Sequence, residues 1–271
     1  MFQKISIIQQ SGNMQEIFSI KNKVVVITGA TGYLGVKMVE QLTLAGALVM
    51  ILSTSISKSR KLCTKLNIPE NRAYEIDISC RKSIKSVFKS IYDTFQRIDV
   101  LVNNAHFGVT KYFHEYTKQD WHKSLDGTVV AIDMTSQEVV PYMTKNNSGR
   151  IINISSMYGM LSPNPDVYPS EAMINPLSYG VGKAAIIQYT KYSAMMLAKD
   201  NITVNTISYG PFPNINNVKN VSFLENLANK TFLKRIGKPE EVTSAIFFLS
   251  LDESSYVTAQ NIVIDGGWTS W

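Results

Sequence analysis

Short runs of apolar, largely β-branched residues recur along the chain at Val24–Thr28, Leu48–Ser53, Ala73–Ile78, Val100–Asn103, Arg150–Ser155, Ile202–Ile207 and Asn261–Ile264. Most are continuously apolar rather than alternating, the pattern of strands covered on both faces. Between them lie stretches with apolar positions at helical spacing, among them Leu34–Leu44, Ile84–Phe95 and Ala184–Leu197. Gly46 follows the first of these, where a helix C-terminus favours a left-handed residue. The alternation predicts an α/β fold: a Rossmann-type, doubly wound parallel sheet of about seven strands with helices on both faces. Ligands of such a sheet bind beyond the carboxyl ends of its strands.

Composition narrows the function classes. The 271 residues are 45% hydrophobic and 18% charged, and no Pro/Gly/Ser-rich linker divides them. They read as an N-terminal arm over 1–20, with Met14 a second candidate start, and a single domain over 21–271. The net charge of +6 comes from lysines such as Lys58, Lys61, Lys82, Lys85 and Lys89, whose helical spacing fits a solvated face. No basic tract interleaves with aromatics, so a nucleic-acid partner is not expected. No apolar run is long enough to span a bilayer, and the broken apolar start is not a signal peptide, so no membrane partner is expected. Cys63 and Cys80 lack metal-ligand spacing and do not cluster with His106, His114 or His122. No metal is expected, and a cytoplasmic protein is.

The first strand runs directly into Thr28-Gly29-Ala30-Thr31-Gly32-Tyr33-Leu34-Gly35. Glycines at these intervals permit a tight turn, let the backbone approach a pyrophosphate and let helix pack on strand, while the helix N-terminus offers N–H groups to the phosphates. Gly29, Thr31, Gly32, Tyr33, Leu34 and Gly35 are therefore candidate cofactor contacts. At the end of the second strand an acidic residue would bind a ribose 2′-hydroxyl. Ser53, Thr54 and Ser55 stand there instead, with Lys58 and Arg60 just beyond. Hydroxyls and cations suit a 2′-phosphate, so NADP(H) is favoured over NAD(H); the competing reading is that the hydroxyls cap the next helix. Asp77, with Ile78 beside it, is a candidate for the adenine, and Asn103-Asn104-Ala105 should border the cofactor.

Tyr179 and Lys183 lie at i and i+4 on one helix face. A nearby ammonium favours phenolate and draws a tyrosine pKa down, so that the phenol serves as acid or base. Ser156, after the fifth strand, supplies a hydroxyl for the substrate oxygen. Spacing alone is not diagnostic, because Tyr33 and Lys37 repeat it.

With these motifs, together with Val204-Asn205, the stretch around Arg235, Gly237 and Pro239, and Ile264-Asp265-Gly266-Gly267, the chain resembles the short-chain dehydrogenase/reductases over residues 22–268. The resemblance implies Ser156, Tyr179 and Lys183 as catalytic residues, cofactor contacts reaching Gly210, and a homo-oligomer, tetramer or dimer. Thr128 sits where many members carry a proton-relaying asparagine, and its hydroxyl is a candidate substitute. His106 stands where a glycine usually follows, and Tyr209 where a proline does. The proline- and tyrosine-rich stretch Met157–Ser178 is longer than usual and is expected to shape the substrate mouth, with Tyr158, Tyr168, Asn164 and Asn175 contacting a sugar. It is similar to that of members from bacterial surface-sugar and flagellin-modification pathways. The implied activity is hydride transfer between a nicotinamide cofactor and a hydroxyl or carbonyl of a small substrate, first a phosphorylated or nucleotide-linked sugar, second a polyol or keto-acid. The alternatives are a non-catalytic Rossmann binding or regulatory protein, and an epimerase or dehydratase with tightly held cofactor.

Overall fold

The computed structural model describes residues 17–271; apart from Ile17–Ile20, the expected N-terminal arm and Met14 lie outside the described residues. Seven strands, β1 (Val24–Thr28), β2 (Leu48–Ser53), β3 (Ala73–Glu75), β4 (Val100–Asn103), β5 (Gly149–Ser156), β6 (Ile202–Tyr209) and β7 (Asn261–Ile264), form one sheet in the order β3-β2-β1-β4-β5-β6-β7. Every neighbouring pair is parallel. The continuous apolar runs are explained by the two faces. Val25 and Ile27 pack with Met38, Leu42 and Ile246 on one side, whereas Val24 and Val26 pack with Phe88, Ile91 and Met143 on the other. Successive side chains of a strand point oppositely, so both sets must be apolar.

The helices are α1 (Tyr33–Leu44), α2 (Ile56–Lys65), α3 (Arg81–Phe95), α4 (Lys118–Leu125), α5 (Ala131–Lys145), α6 (Leu177–Leu197), α7 (Val221–Lys230) and α8 (Thr243–Ser250). Helix α1 ends as expected at Gly46, which has φ +89°; its N–H donates to Thr43 and the Ala47 N–H to Leu42, the paired bonds of a Schellman cap. None of the described helices is long and apolar enough to cross a membrane.

Several boundaries differ from the sequence expectation. Strand β3 stops at Glu75, because the Asp77 carboxylate accepts the Ser79 N–H and turns the chain. Strands β5 and β6 pair to Ser156↔Tyr209, beyond the expected ends. Helix α6 starts at Leu177, ahead of the expected Ala184, so its first turns carry Ser178, Tyr179, Gly180 and Gly182. Those residues are indifferent helix formers, and packing supplies the helix instead: a Cβ on Gly182 would lie 2.6 Å from Thr128 Oγ1.

One polar row crosses the apolar sheet. Asn103, Asn153 and Thr206 are register partners on β4, β5 and β6. Asn103 Nδ2 donates to Asn153 Oδ1 (2.9 Å), Asn153 Nδ2 to Thr190 Oγ1 (2.9 Å) and Thr206 Oγ1 to Thr190 Oγ1 (2.7 Å), while Thr135 donates to Asn103 (2.8 Å). Each buried polar group thus finds a partner.

Candidate active site

Beyond the carboxyl ends of the strands, where the sheet order reverses between β1 and β4, lies a cavity of 580 Å³. Its walls bring together Gly29, Thr31, Gly32, Tyr33, Leu34, Gly35, Ser53, Thr54, Asp77, Ile78, Asn104, Ala105, Gly210, Ser156, Tyr179 and Lys183. Of the expected catalytic residues only Thr128 is not among them; Asn103, Lys58 and Arg60, expected near the cofactor, and the expected sugar contacts Tyr158, Tyr168, Asn164 and Asn175 are not among them either.

The glycine loop is clipped to β4. Thr28 Oγ1 accepts the N–H groups of Asn104 and Ala105, each at 3.1 Å, and Asn104 Nδ2 donates to the carbonyls of Thr28 and Gly29. Gly29 has φ +66°, and a Cβ on Gly35 would fall 2.4 Å from the Gly29 carbonyl oxygen. Glycine is required at both positions. Helix α1 has no side-chain cap and no acidic residue in its first turn. Its N–H groups are left to an anion, the arrangement that suits a pyrophosphate.

The ribose end departs from expectation. Ser53 is buried and its hydroxyl is engaged with the Ser55 carbonyl and Ser59 Oγ, both at 2.9 Å. Arg60 lies toward Glu70 at 3.8 Å. Ser55, not Ser53 or Thr54, caps α2. Of Ser53, Thr54 and Ser55 only the exposed Thr54 keeps its hydroxyl uncommitted, and Glu75 brings a carboxylate to the turn by accepting the Ile56 N–H. Asp77 holds one carboxylate oxygen on Ser79, whose hydrogen bonds keep its pKa below the usual range.

At the other end, Ser156 closes β5 and its Oγ accepts the Tyr158 N–H at 3.2 Å, leaving the hydroxyl proton for another acceptor. Lys183 is buried; its Nζ donates to the Ile154 carbonyl at 2.8 Å and sits 5.5 Å from the Tyr179 ring centroid. The Ser155 hydroxyl ties the Lys183 carbonyl back to β5 (2.8 Å). Burial without a carboxylate partner lowers the Lys183 pKa to about 8. The expected fall of the Tyr179 pKa is not found: burial raises it, and the Ser156 hydrogen bond only partly opposes this. Desolvation dominates here, so the phenol keeps its proton at neutral pH.

Thr128 lies apart, in a one-turn π-helical stretch, Asp126–Val130, between α4 and α5. Its hydroxyl proton goes to the Ser124 carbonyl (2.7 Å), and the side chain is buried against Gly182. That bond removes the free proton a relay would need. Thr128 instead walls a second cavity of 410 Å³, which shares His106, Phe107 and Tyr179 with the first.

The stretch Met157–Ser178 reaches the second cavity at its C-terminal end, where Asn175, Pro176 and Ser178 form walls beside Tyr179, and its middle is packed rather than free. Met157, Tyr158 and Val167 pack with Phe223, Leu227 and Trp268 in a third apolar cluster. The Tyr158 and Tyr168 hydroxyls bond each other, and Asn175 Nδ2 donates to Tyr168 at 3.1 Å. Asn164 accepts the Asp166 N–H. Of the four expected sugar contacts only Asn175 lines a cavity beside Tyr179.

Sequence reasoning missed His106, Tyr209 and Phe212 as cavity walls. The signal for two of them was present, since His106 and Tyr209 break the expected glycine and proline. The Tyr209 hydroxyl donates to the Val242 carbonyl and its ring meets Phe212 edge-on, so this residue is a satisfied wall. His106 is different. Its ring tilts against Tyr179 with centroids 5.7 Å apart, and it belongs to both cavities.

The family profile described as Enoyl-(Acyl carrier protein) reductase matches residues 29–269. The chain is 34% identical over 262 residues to the 3-oxoacyl-(acyl-carrier-protein) reductase FabG of Thermotoga maritima, covering 92% of this chain and 98% of that protein. It is 27% identical over 257 residues to the post-translational flagellin modification protein A of Campylobacter coli, covering 92% and 99%. In three dimensions it is similar to a short-chain type dehydrogenase/reductase from Mycobacterium marinum, with TM-score 0.82, 26% identity, and 94% of this chain and 98% of the other covered.

Proposed function

This chain belongs to the short-chain dehydrogenase/reductase family, and from that premise we propose that it transfers hydride between NADP(H) and a hydroxyl or carbonyl of a small, sugar-derived substrate, with Ser156, Tyr179 and Lys183 as its catalytic residues. The family supplies the reaction class, NAD(P)-dependent oxidoreduction at a CH–OH group. One observation carries the rest: a single cavity has the uncapped, glycine-shaped start of α1 at one end and Ser156, Tyr179 and Lys183 at the other.

The Gly29–Gly35 loop would hold the pyrophosphate, Asp77 and Ile78 the adenine, Asn104, Ala105 and Gly210 the sides, and Lys183 the nicotinamide ribose. When bound, the nicotinamide supplies or accepts the hydride. Ser156 donates its remaining proton to the substrate oxygen. Tyr179, kept protonated by burial, gives that oxygen its proton during reduction and takes it back during oxidation. Lys183 keeps a positive charge beside the phenolate that reduction leaves behind. Thr128 takes part only by shaping the second cavity.

Cofactor preference for NADP(H) rests on Thr54 and on Lys58, which is exposed one turn into α2. With Ser53 engaged, one charge-assisted hydrogen bond is available, about 1.5–3 kcal/mol or on the order of 10–100-fold in affinity. The homo-oligomer reading is supported by α6, which leaves Val181, Tyr192, Met195 and Met196 exposed. Such apolar side chains on one long helix suit a symmetric contact with a second copy. Cys63 and Cys80 are both free thiols, which fits the cytoplasm.

The test is to titrate both cofactors and follow the reduced nicotinamide absorbance with sugar alcohols, sugars and their keto forms. NADP(H) should bind more tightly and at least one pair should turn over. Failure to bind either cofactor would overturn the reading; a preference for NAD(H) would overturn its cofactor half.

A further inference from the structure

The second cavity lies where a substrate would extend away from the cofactor, and its walls restrict what that substrate is. Across both cavities the only charged side chains among the described residues are Asp77, at the adenine end, and Lys183. Lys183 lines the first cavity and not the second. Of the two lysines next to the walls of the second cavity in sequence, Lys111 is paired with Asp120 at 2.8 Å, and Lys123 is exposed and lines neither cavity. A phosphate or carboxylate placed against these walls would give up water without gaining a cation, which is unfavourable. The phosphorylated sugar expected from the sequence therefore has no receptor in these walls.

Uncharged hydrogen-bonding groups are present, but most are committed. Thr128 donates to the Ser124 carbonyl, Ser178 Oγ is shared with Tyr116 and the Val109 carbonyl, and Asn175 donates to Tyr168. The exceptions are Thr110, at the exposed rim, and His106. The His106 ring is exposed to the cavity yet crowded by protein; that desolvation, then the Lys183 ammonium, lowers its pKa to about 4, so near neutral pH it offers one donor and one acceptor. Its ring rests against Tyr179 at the junction of the two cavities.

We propose that His106 determines specificity: its imidazole hydrogen-bonds a substrate hydroxyl near the reacting carbon, and the site takes uncharged polyhydroxy compounds in preference to their phosphorylated forms. This rests on Ser156, Tyr179 and Lys183 being the catalytic set. His106 is exposed at the cavity wall; a substrate lying over it displaces its water, and one without a hydroxyl there leaves the imidazole unpaired.

The experiment compares sorbitol with sorbitol 6-phosphate, and fructose with fructose 6-phosphate, on the wild-type enzyme, His106→Phe and His106→Arg, with NADP(H) affinity measured alongside. The wild type should favour the neutral member of each pair in kcat/KM by at least about tenfold. His106→Phe keeps the ring and removes both hydrogen-bonding atoms; it should lose at least about tenfold on the neutral member through KM, with cofactor affinity unchanged. His106→Arg brings a cation to the cavity and should move the ratio toward the phosphorylated member. A wild type that prefers the phosphorylated members, or a His106→Phe enzyme with unchanged kcat/KM, overturns the inference while leaving hydride transfer standing. Cofactor binding without turnover of any member would instead bring down both this inference and the proposed function for these compounds.

Discussion

Tyr33 and Lys37 lie one turn apart at the start of α1, as Tyr179 and Lys183 do near the start of α6. Lys37 reaches Glu40 at 2.9 Å and Glu240 at 3.2 Å, and those carboxylates hold its pKa above the ordinary value. Tyr33 donates its hydroxyl proton to the Pro213 carbonyl. Lys183, by contrast, is enclosed with a single backbone carbonyl and no carboxylate, and its pKa falls to about 8. The first ammonium is neutralised by its own surroundings. The second keeps an uncompensated field directed at whatever enters the cavity. The same spacing thus yields a surface ion pair in one place and a chemically poised group in the other, and burial without a counter-charge makes the difference.

Substitutions at matched positions test that contrast most directly. Tyr179→Phe should lower kcat by at least about 10²-fold with cofactor affinity unchanged, since general acid–base groups contribute about 10²–10⁴-fold. Tyr33→Phe should leave kcat essentially unchanged. Equal losses in the two variants would mean that the environments do not differ as described.

The lysines should separate in stability as well as rate. Lys183→Met should abolish most turnover yet stabilise the fold at pH 7 by on the order of 1 kcal/mol, the gain from removing a buried charge less the orphaned Ile154 carbonyl. The folded pKa of about 8 lies below the ordinary 10.5, so between these values the unfolded chain binds more protons. Wild-type stability therefore rises with pH across that window, and the advantage of the variant, complete below pH 8, should vanish by pH 10.5. Thermal melts of both proteins over this range check the sign. Lys37→Met should change stability by less than about 1 kcal/mol, as exposed ion pairs do.

Catalytic pH dependence sharpens the same point. Because burial raises the Tyr179 pKa, reduction should be insensitive to pH through neutrality, falling once Lys183 loses its charge above about pH 8. Oxidation, which needs the phenolate, should still be rising at that pH. An oxidation rate that has levelled off by pH 7 would show that the ammonium, not burial, governs the phenol. The smallest effect is expected at Glu75: Glu75→Gln removes a charge near Thr54 and should raise the NADP(H) preference by no more than a few-fold, read from paired cofactor titrations.

Much of this was legible in the sequence, and for a local reason. The limits of β1, β2, β4 and β7, the glycine loop and the Tyr179/Lys183 face follow from neighbours a few residues apart. What was not legible depends on residues brought together from afar. Ser53 looked like a free hydroxyl, but Ser59 folds back onto it across a turn of helix. Tyr158 and Tyr168 looked like a sugar platform, yet α7 and Trp268 turn that stretch into core. His106 was visible as a departure from the family pattern, but its place against Tyr179 exists only once β4 and α6 are side by side. Thr128 failed for the opposite reason: a carbonyl one turn back on its own helix takes its proton.

A parallel sheet is assembled from strands distant in the chain, which makes it slow to form, and runs of valine and isoleucine scarcely distinguish one alignment from the next. The row Asn103, Asn153 and Thr206 does distinguish them. Sliding β5 by one residue against β4 would turn Asn153 to the opposite face and leave the Asn103 amide facing hydrocarbon, at about 1–3 kcal/mol for each orphaned group. Misaligned sheets are thereby made less stable than strands still free to search. The row acts as a proofreading step in folding, and replacing it with leucines would leave a chain prone to kinetic traps and aggregation even if its native state were no weaker.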